Sequence, residues 1–123
     1  MKTRERGEWG EEKAARFLKN KKYRIISRNY SSRYGEIDLI AQYKDTIVFV
    51  EVKTRSGSAY GRPGEAVDYA KQRKMIKTAL TYIQENRLDE QDVGYRFDIV
   101  EILYTDAGYR IEHIENAFGV PEE

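Results

Sequence analysis

The sequence predicts an α/β fold, and three observations carry that prediction. A segment of helical periodicity opens the chain, a series of short β-rich runs follows with tight polar turns between them, and a second amphipathic helix precedes a further pair of strands. The 123 residues are expected to form one domain spanning 1–123, with a radius of gyration of roughly 14 Å. A hydrophobic content of 40% suits a modest core, while 35% charged residues and ten Tyr imply a polar, aromatic surface.

Helix one is expected over residues 8–19, where Ala14, Ala15, Phe17 and Leu18 fall at helical spacing among charges, and should end near Asn20. A strand over 23–30 leads into the turn-prone stretch 31–35. The runs 36–43 and 46–55, separated by the polar pair Lys44-Asp45, read as a hairpin. A Gly-rich loop over 56–64 carries Pro63, which suits the first turn of a helix. Helix two then extends to about Asn86, with Ala66, Val67, Ala70, Ile76, Ala79, Leu80 and Ile83 as its apolar stripe. After an acidic turn over 88–94, two strands near 95–104 and 109–114 are joined at Asp106-Ala107-Gly108, and 121–123 should be a frayed tail.

Composition excludes several function classes. No apolar run approaches the ~20 residues of a membrane helix, and the basic start lacks the apolar stretch of a secretory signal. A cytoplasmic protein without a membrane partner is therefore expected. With no Cys and one His, a disulfide framework, a thiolate zinc site and a histidine-based metal site are all disfavoured. Oxygen ligands remain, and these suit hard cations such as Mg²⁺ or Mn²⁺. The net charge of +1 hides an asymmetry: residues 1–77 hold 19 Lys/Arg against 10 Asp/Glu, and residues 78–123 hold 3 against 11. A polyanion would be drawn to the first part.

The chemistry concentrates in the hairpin. If it closes symmetrically about Lys44-Asp45, Asp38 lies opposite Glu51 and Glu36 opposite Lys53, all on one face, with Ile40 meeting Phe49 nearer the turn. Opposed Cβ atoms stand roughly 4.5–5.5 Å apart, so two carboxylates there repel unless a cation neutralises them or one is protonated. Ile37, Leu39, Val48, Val50 and Val52 form the other, apolar face. A structural ion-pair network is the competing reading of the charges. Glu11 shares a helical stripe with Ala14, Ala15 and Leu18 and could face the sheet; Glu12 could do so from a neighbouring angle. On helix two, Gln72 aligns with Ile76, Ala79 and Ile83, and Lys71 with Met75.

Asp38, Glu51-Val52-Lys53 and the preceding helical acid resemble the pattern of PD-(D/E)xK nucleases, the restriction-endonuclease-like superfamily. More closely, the chain resembles the YraN-like family, which is similar to archaeal Holliday junction resolvases. Gly10-Glu11 with Ala14, Arg28-Asn29, Gly35-Glu36-Ile37-Asp38-Leu39-Ile40, Phe49-Val50-Glu51-Val52-Lys53, Lys71, Arg96-Phe97-Asp98 and Asn116-Ala117-Phe118 carry the resemblance over nearly the full chain. Ile37 stands where the superfamily pattern has Pro.

The resemblance implies a three-layer core with αβββαβ order around a mixed sheet and flanking helices. It also implies that Asp38, Glu51 and the Val52 carbonyl bind Mg²⁺ or Mn²⁺, that Glu11 supports a metal directly or through water, and that Lys53 positions the attacking water. Arg55, Tyr60, Arg62, Lys71 and Gln72 are candidates for contact with nucleic acid, and Lys19, Lys21, Lys22, Arg24 and Arg28 for an extended electrostatic track. Asp98 could pair with Arg96 or lie near the site, and His113 has no evident partner. The expected function is a metal-dependent endonuclease acting on branched or structured DNA, and symmetric cutting of two strands would require a homodimer. A nuclease fold retained for binding without cleavage, or a protein-interaction module, is the alternative.

Overall fold

A computed structural model describes residues 3–56 and 67–120. Helix α1 (Thr3–Asn20) is followed by strands β1 (Arg24–Ser32), β2 (Gly35–Tyr43) and β3 (Thr46–Ser56). Helix α2 (Tyr69–Glu85), a short 3₁₀ turn (Leu88–Glu90) and strands β4 (Gly94–Thr105) and β5 (Gly108–Phe118) complete the order. The strands form one mixed sheet in the order β1-β2-β3-β4-β5. Every neighbouring pair is antiparallel except β3 and β4, which run parallel with α2 between them in sequence.

The two helices cover opposite faces. Ala14, Ala15 and Leu18 of α1 pack on Leu39, Ala41, Val48, Val50, Val100 and Ile102. Met75, Ile76, Ala79, Tyr82 and Ile83 of α2 pack on Ile37, Ile40, Ile47, Phe49 and Phe97. Because β2, β3 and β4 are buried on both faces, their sequences read as near-continuous apolar runs.

Helix α1 begins at Thr3, not at residue 8. Its first turns are polar on every side, so no apolar spacing marks them, and exposed pairs such as Arg4–Glu8 (3.5 Å) line the surface. Helix α2 begins later than expected. Asp68 is extended (φ −76°, ψ 172°) and its side chain accepts from the Lys71 backbone N–H at 2.8 Å, capping the helix there. Pro63 and Ala66 lie outside the described residues. Val67 is buried ahead of the helix, Ala70 and Leu80 are exposed, and Met75, Thr78 and Tyr82 complete the buried stripe instead. Strand β5 continues to Phe118, past the expected end at 114, and residues 121–123 lie outside the described residues.

The hairpin closes in the expected register, with Tyr43 opposite Thr46 and Leu39 opposite Val50. Pairing stops there, one step short of the expected pair, so Asp38 is not a ladder partner of Glu51. Beyond Val50, β3 keeps its parallel ladder with β4 as far as Ser56 opposite Tyr104, while β2 stays with β1. Glu36 consequently lies opposite Ser31 of β1 rather than opposite Lys53. The alternation of faces also breaks at Asp38: Ile37 joins Ile40 in the α2-side cluster instead of joining Leu39. The two strands fork, and Asp38 sits in the fork.

Candidate active site at the strand fork

Asp38 is held by the chain it faces. Its Oδ2 accepts a 2.8 Å hydrogen bond from the Val52 backbone N–H, a donor released because β2 and β3 no longer exchange ladder bonds there. Glu51, 4% exposed, precedes that residue. Lys53 follows it, with Nζ 3.6 Å from Glu51 Oε1. Lys71, from the first turn of α2, lies closer, with Nζ 2.5 Å from the same oxygen.

Helix α1 comes close enough to take part because residue 10 is Gly. A Cβ at that position would collide with Oγ1 and Cβ of Thr54 on β3. Next to it Glu11 turns toward the fork. Glu12 instead faces Arg28 (2.9 Å) and Arg16 (3.2 Å), so Glu11 is the acid of this helix that approaches the fork. When the Asn29 amide is turned with its NH₂ toward the acids, it donates to Glu11 Oε1 at 2.7 Å and to Glu36 Oε1 at 3.3 Å. Asn29 has a left-handed backbone (φ 53°), a conformation Asn tolerates better than most residues.

Asp38 walls off two clefts. Arg6, Gly7, Glu11 and Thr54 line one on the α1 side, and Glu36, Glu51, Asp68, Lys71 and Lys74 line a larger one on the α2 side. Glu11 and Glu51 thus approach Asp38 from opposite sides. Among the described residues no group of three or more His, Cys, Asp or Glu side chains is placed so that it could hold a metal ion. Asp38 and Glu51 stand about the fork, and Glu11 lies across the α1-side cleft.

The electrostatics follow from crowding negative charge in a half-dry place. Burial, then the Glu51 charge, push the Asp38 carboxyl up to about 7, against the smaller opposing pull of the Val52 hydrogen bond. Burial, then Glu36, also raise Glu11, although Arg28 opposes the shift. Lys53 is pushed below the ordinary lysine range by burial and by the adjacent Lys71 ammonium. Burial acts most strongly on Lys71 and in the same downward sense, but its hydrogen bonds to Glu51 and Lys53 and the Glu51 and Asp38 charges together outweigh that and hold it above the ordinary value.

The remaining sequence candidates occupy distinct places. Arg55 donates from Nε to buried Glu101 at 3.0 Å, and Gln72 donates its amide to the Val67 carbonyl at 3.1 Å. Tyr60 and Arg62 lie outside the described residues. The basic stretch 19–24 gathers at the end of the sheet away from the fork, where Tyr23 stacks on Tyr43 beside the hairpin turn. There Lys21 Nζ meets His113 Nδ1 at 2.7 Å and Arg24 bonds Gln42 at 2.6 Å. His113 has partners after all: its Nε2 is 2.7 Å from fully buried Asp98, which also accepts from Arg96 and from the Asn116 backbone N–H. Asp98 is therefore paired with Arg96 inside a buried network on the α1 side.

In this neighbourhood one residue was visible in the sequence only within a motif, and one escaped the sequence reading. Asn29 bridges Glu11 and Glu36, and Glu101 lies opposite Lys53 in the parallel ladder. The signal for Glu101 was available: a single acid inside the apolar run 99–103 has to find a partner when buried.

The layers, the strand order and the acidic fork together define a restriction-endonuclease-like α/β fold. The chain matches the uncharacterised protein family UPF0102 over residues 10–102. It is 51% identical over 112 residues to a UPF0102 protein of Alkaliphilus oremlandii, covering 91% of this chain and 96% of that one. It is 50% identical over 117 residues to one of Symbiobacterium thermophilum, covering 94% and 98%. Against one of Syntrophomonas wolfei it is 45% identical over 116 residues, covering 94% and 99%. The chain belongs to the UPF0102 family, the YraN-like group that its motifs resemble.

Proposed function

We propose that this protein is a metal-dependent endonuclease that hydrolyses phosphodiester bonds in DNA, with branched or otherwise structured DNA as its substrate. One observation carries the reading: Asp38 is anchored on the Val52 N–H in the strand fork, beside the buried Glu51 and the Lys53 that follows it. The donors fit a hard cation, since all are oxygens. The Lys71 ammonium drawn against Glu51 stands where positive charge is demanded.

In this reading Asp38, Glu51 and the Val52 carbonyl would hold Mg²⁺ or Mn²⁺, with Glu11 supporting it from α1. Such a cation supplies a more acidic water and charge stabilisation for the phosphate oxygens. The chain's own residues do the rest. Lys53, with its Nζ 3.6 Å from Glu51 Oε1, orients the attacking water. Lys71 remains cationic and offers a fixed positive charge to the phosphate. Glu101 and Arg55 form a buried pair beside Lys53 and limit where its stem can lie.

The test is direct. With Mg²⁺ or Mn²⁺ the purified protein should cut at least one of a set of forked, flapped and four-way DNA substrates, and Asp38→Ala or Lys53→Ala should abolish cutting. Undiminished cleavage by both variants would sink the proposal. A domain that binds DNA without cleaving it would show steeply salt-dependent binding and no product with any divalent metal.

A further inference from the structure

The exposed side of α2 carries charge in an arrangement that fold stability does not explain. Tyr69–Glu85 contains Lys71, Arg73, Lys74 and Lys77 but only one acid, Glu85 at its far end, and its first turn has no acid. Cations near a helix N-terminus oppose the macrodipole and cost stability. Helix α1 behaves differently, pairing Arg4 with Glu8 and Arg16 with Glu12. Lys74 and Lys77 are exposed and have no carboxylate partner among the described residues.

The β1–β2 turn adds to the same surface. Gly35 lies against Lys74, where a Cβ would sit 3.7 Å from the lysine Cβ, and Ser32 Oγ meets Thr78 Oγ1 at 3.0 Å. This brings Tyr34 beside α2. Its ring lies 5.5 Å from Lys77 Nζ and 4.9 Å from the Arg33 guanidinium, which also donates to the Tyr34 hydroxyl at 2.7 Å. The ring thus gathers two like charges that would otherwise separate. Lys71 and Lys74 line the α2-side cleft with Asp38 and Glu51. The cations therefore form a line starting at the fork, passing along α2 at positions 71, 74 and 77, and ending on the turn at Arg33.

We propose that Arg33, Lys74 and Lys77, with Tyr34 as the positioning residue, bind the phosphodiester backbone of the DNA strand flanking the scissile phosphate. This rests on the nuclease reading and adds the path of the substrate: the strand leaves the cleft along α2 toward the β1–β2 turn. From residue 71 to 77 a helix advances about 9 Å. A duplex strand presents a phosphate about every 3.4 Å of axis, so the line covers about three phosphates. An anionic backbone suits the line better than a protein acid patch because it begins at a site whose proposed reactant is itself a phosphodiester.

The test measures binding in a Lys53→Ala background with Mg²⁺, using a fluorescein-labelled forked DNA over a series of salt concentrations. The triple variant Arg33→Gln/Lys74→Gln/Lys77→Gln should lower the slope of log K against log salt by about 2–3 and weaken binding at least tenfold at low salt. Removing the same charge at the far end of the sheet, with Lys19→Gln/Lys22→Gln/Lys44→Gln, should leave the slope within one unit of the parent. Tyr34→Phe should keep most of the binding and Tyr34→Ala should weaken it. Thermal unfolding should show both triple variants folded. A slope unchanged by the α2-side substitutions, or equally reduced by both sets, would overturn the assignment while leaving the nuclease reading intact. Failure of the Lys53→Ala protein to bind any DNA would overturn both.

Discussion

Replacing Asp38 by Asn should stabilise the metal-free protein, and the gain should depend on pH in a defined direction. The Asp38 carboxyl moves from 3.8 in an ordinary setting to about 7 in the fold, first because it is buried and second because Glu51 stands beside it. The folded state thus holds this proton over a range where the unfolded chain has released it, so stability falls as pH rises from about 4 through about 7. A shift of about three pH units corresponds to an upper limit of ~4 kcal/mol at pH 8, at ~1.4 kcal/mol per unit. Relaxation and water at the open rim of the clefts reduce this to on the order of 2 kcal/mol. In a chain of this size that is a rise in Tm of roughly 8 °C. An Asn amide oxygen can still accept the Val52 N–H, so the anchor at the fork survives. The assay is thermal unfolding followed by circular dichroism, in EDTA, across pH 5 to 8 in steps of about one unit. Asp38→Asn should melt above the parent at pH 8, and the difference should shrink to less than about half of that at pH 5. Mg²⁺ at pH 8 should raise the parent's Tm and leave the variant's where it was. A variant less stable than the parent at pH 8, or a gain that persists undiminished in acid, would refute the account of two acids forced together.

Lys53→Ala should reduce cleavage by ~10²–10⁴-fold with DNA binding retained, as separate cleavage and anisotropy measurements can show. Gly10→Ala should lift α1 from β3 because the new methyl meets Thr54, lowering both Tm and activity even though Ala favours helix by ~1 kcal/mol; adding Thr54→Ala should restore part of each. Asp98 is pushed up by burial, but hydrogen bonds from His113, Arg96 and the Asn116 N–H more than offset this and hold it below the ordinary aspartate range. Its stabilisation is therefore complete above about pH 4 and is lost as pH falls further through the depressed value, and Asp98→Ala should cost about 3–5 kcal/mol in denaturant unfolding because Arg96 and His113 lose their shared buried carboxylate.

Much of the architecture was legible because it rests on periodicity. The hairpin register follows from its two-residue connection, and Tyr43 opposite Thr46 through Leu39 opposite Val50 confirms it residue by residue. The fork was not legible. A ladder extrapolated from the turn puts Glu36 across from Lys53, but the carboxylate of Asp38 takes the Val52 N–H in place of a strand partner, and that competition leaves no trace in alternation. The start of α2 was hidden similarly: Asp68 caps the helix through its side chain, while the apolar positions upstream of it kept the right spacing. Asn29 was visible only as part of a motif, since its bridging depends on two acids from other elements. The buried His113–Asp98 contact joins residues on adjacent strands across a bulge that no spacing announces.

The parallel partnership of β3 and β4 begins with Thr46 beside Gly94, so more than a third of the chain intervenes before this ladder can form. Large loops close slowly, and β1, β2 and β3 can assemble as a meander well before β4 arrives. During that interval β3 has an open flank able to recruit other chains. Glu51, Lys53 and Arg55 interrupt its second half with alternating ionic groups, the kind of residue that deters strand-to-strand association. Residues proposed to act at the mature fork are thus also the ones placed to keep the nascent sheet from pairing with other chains.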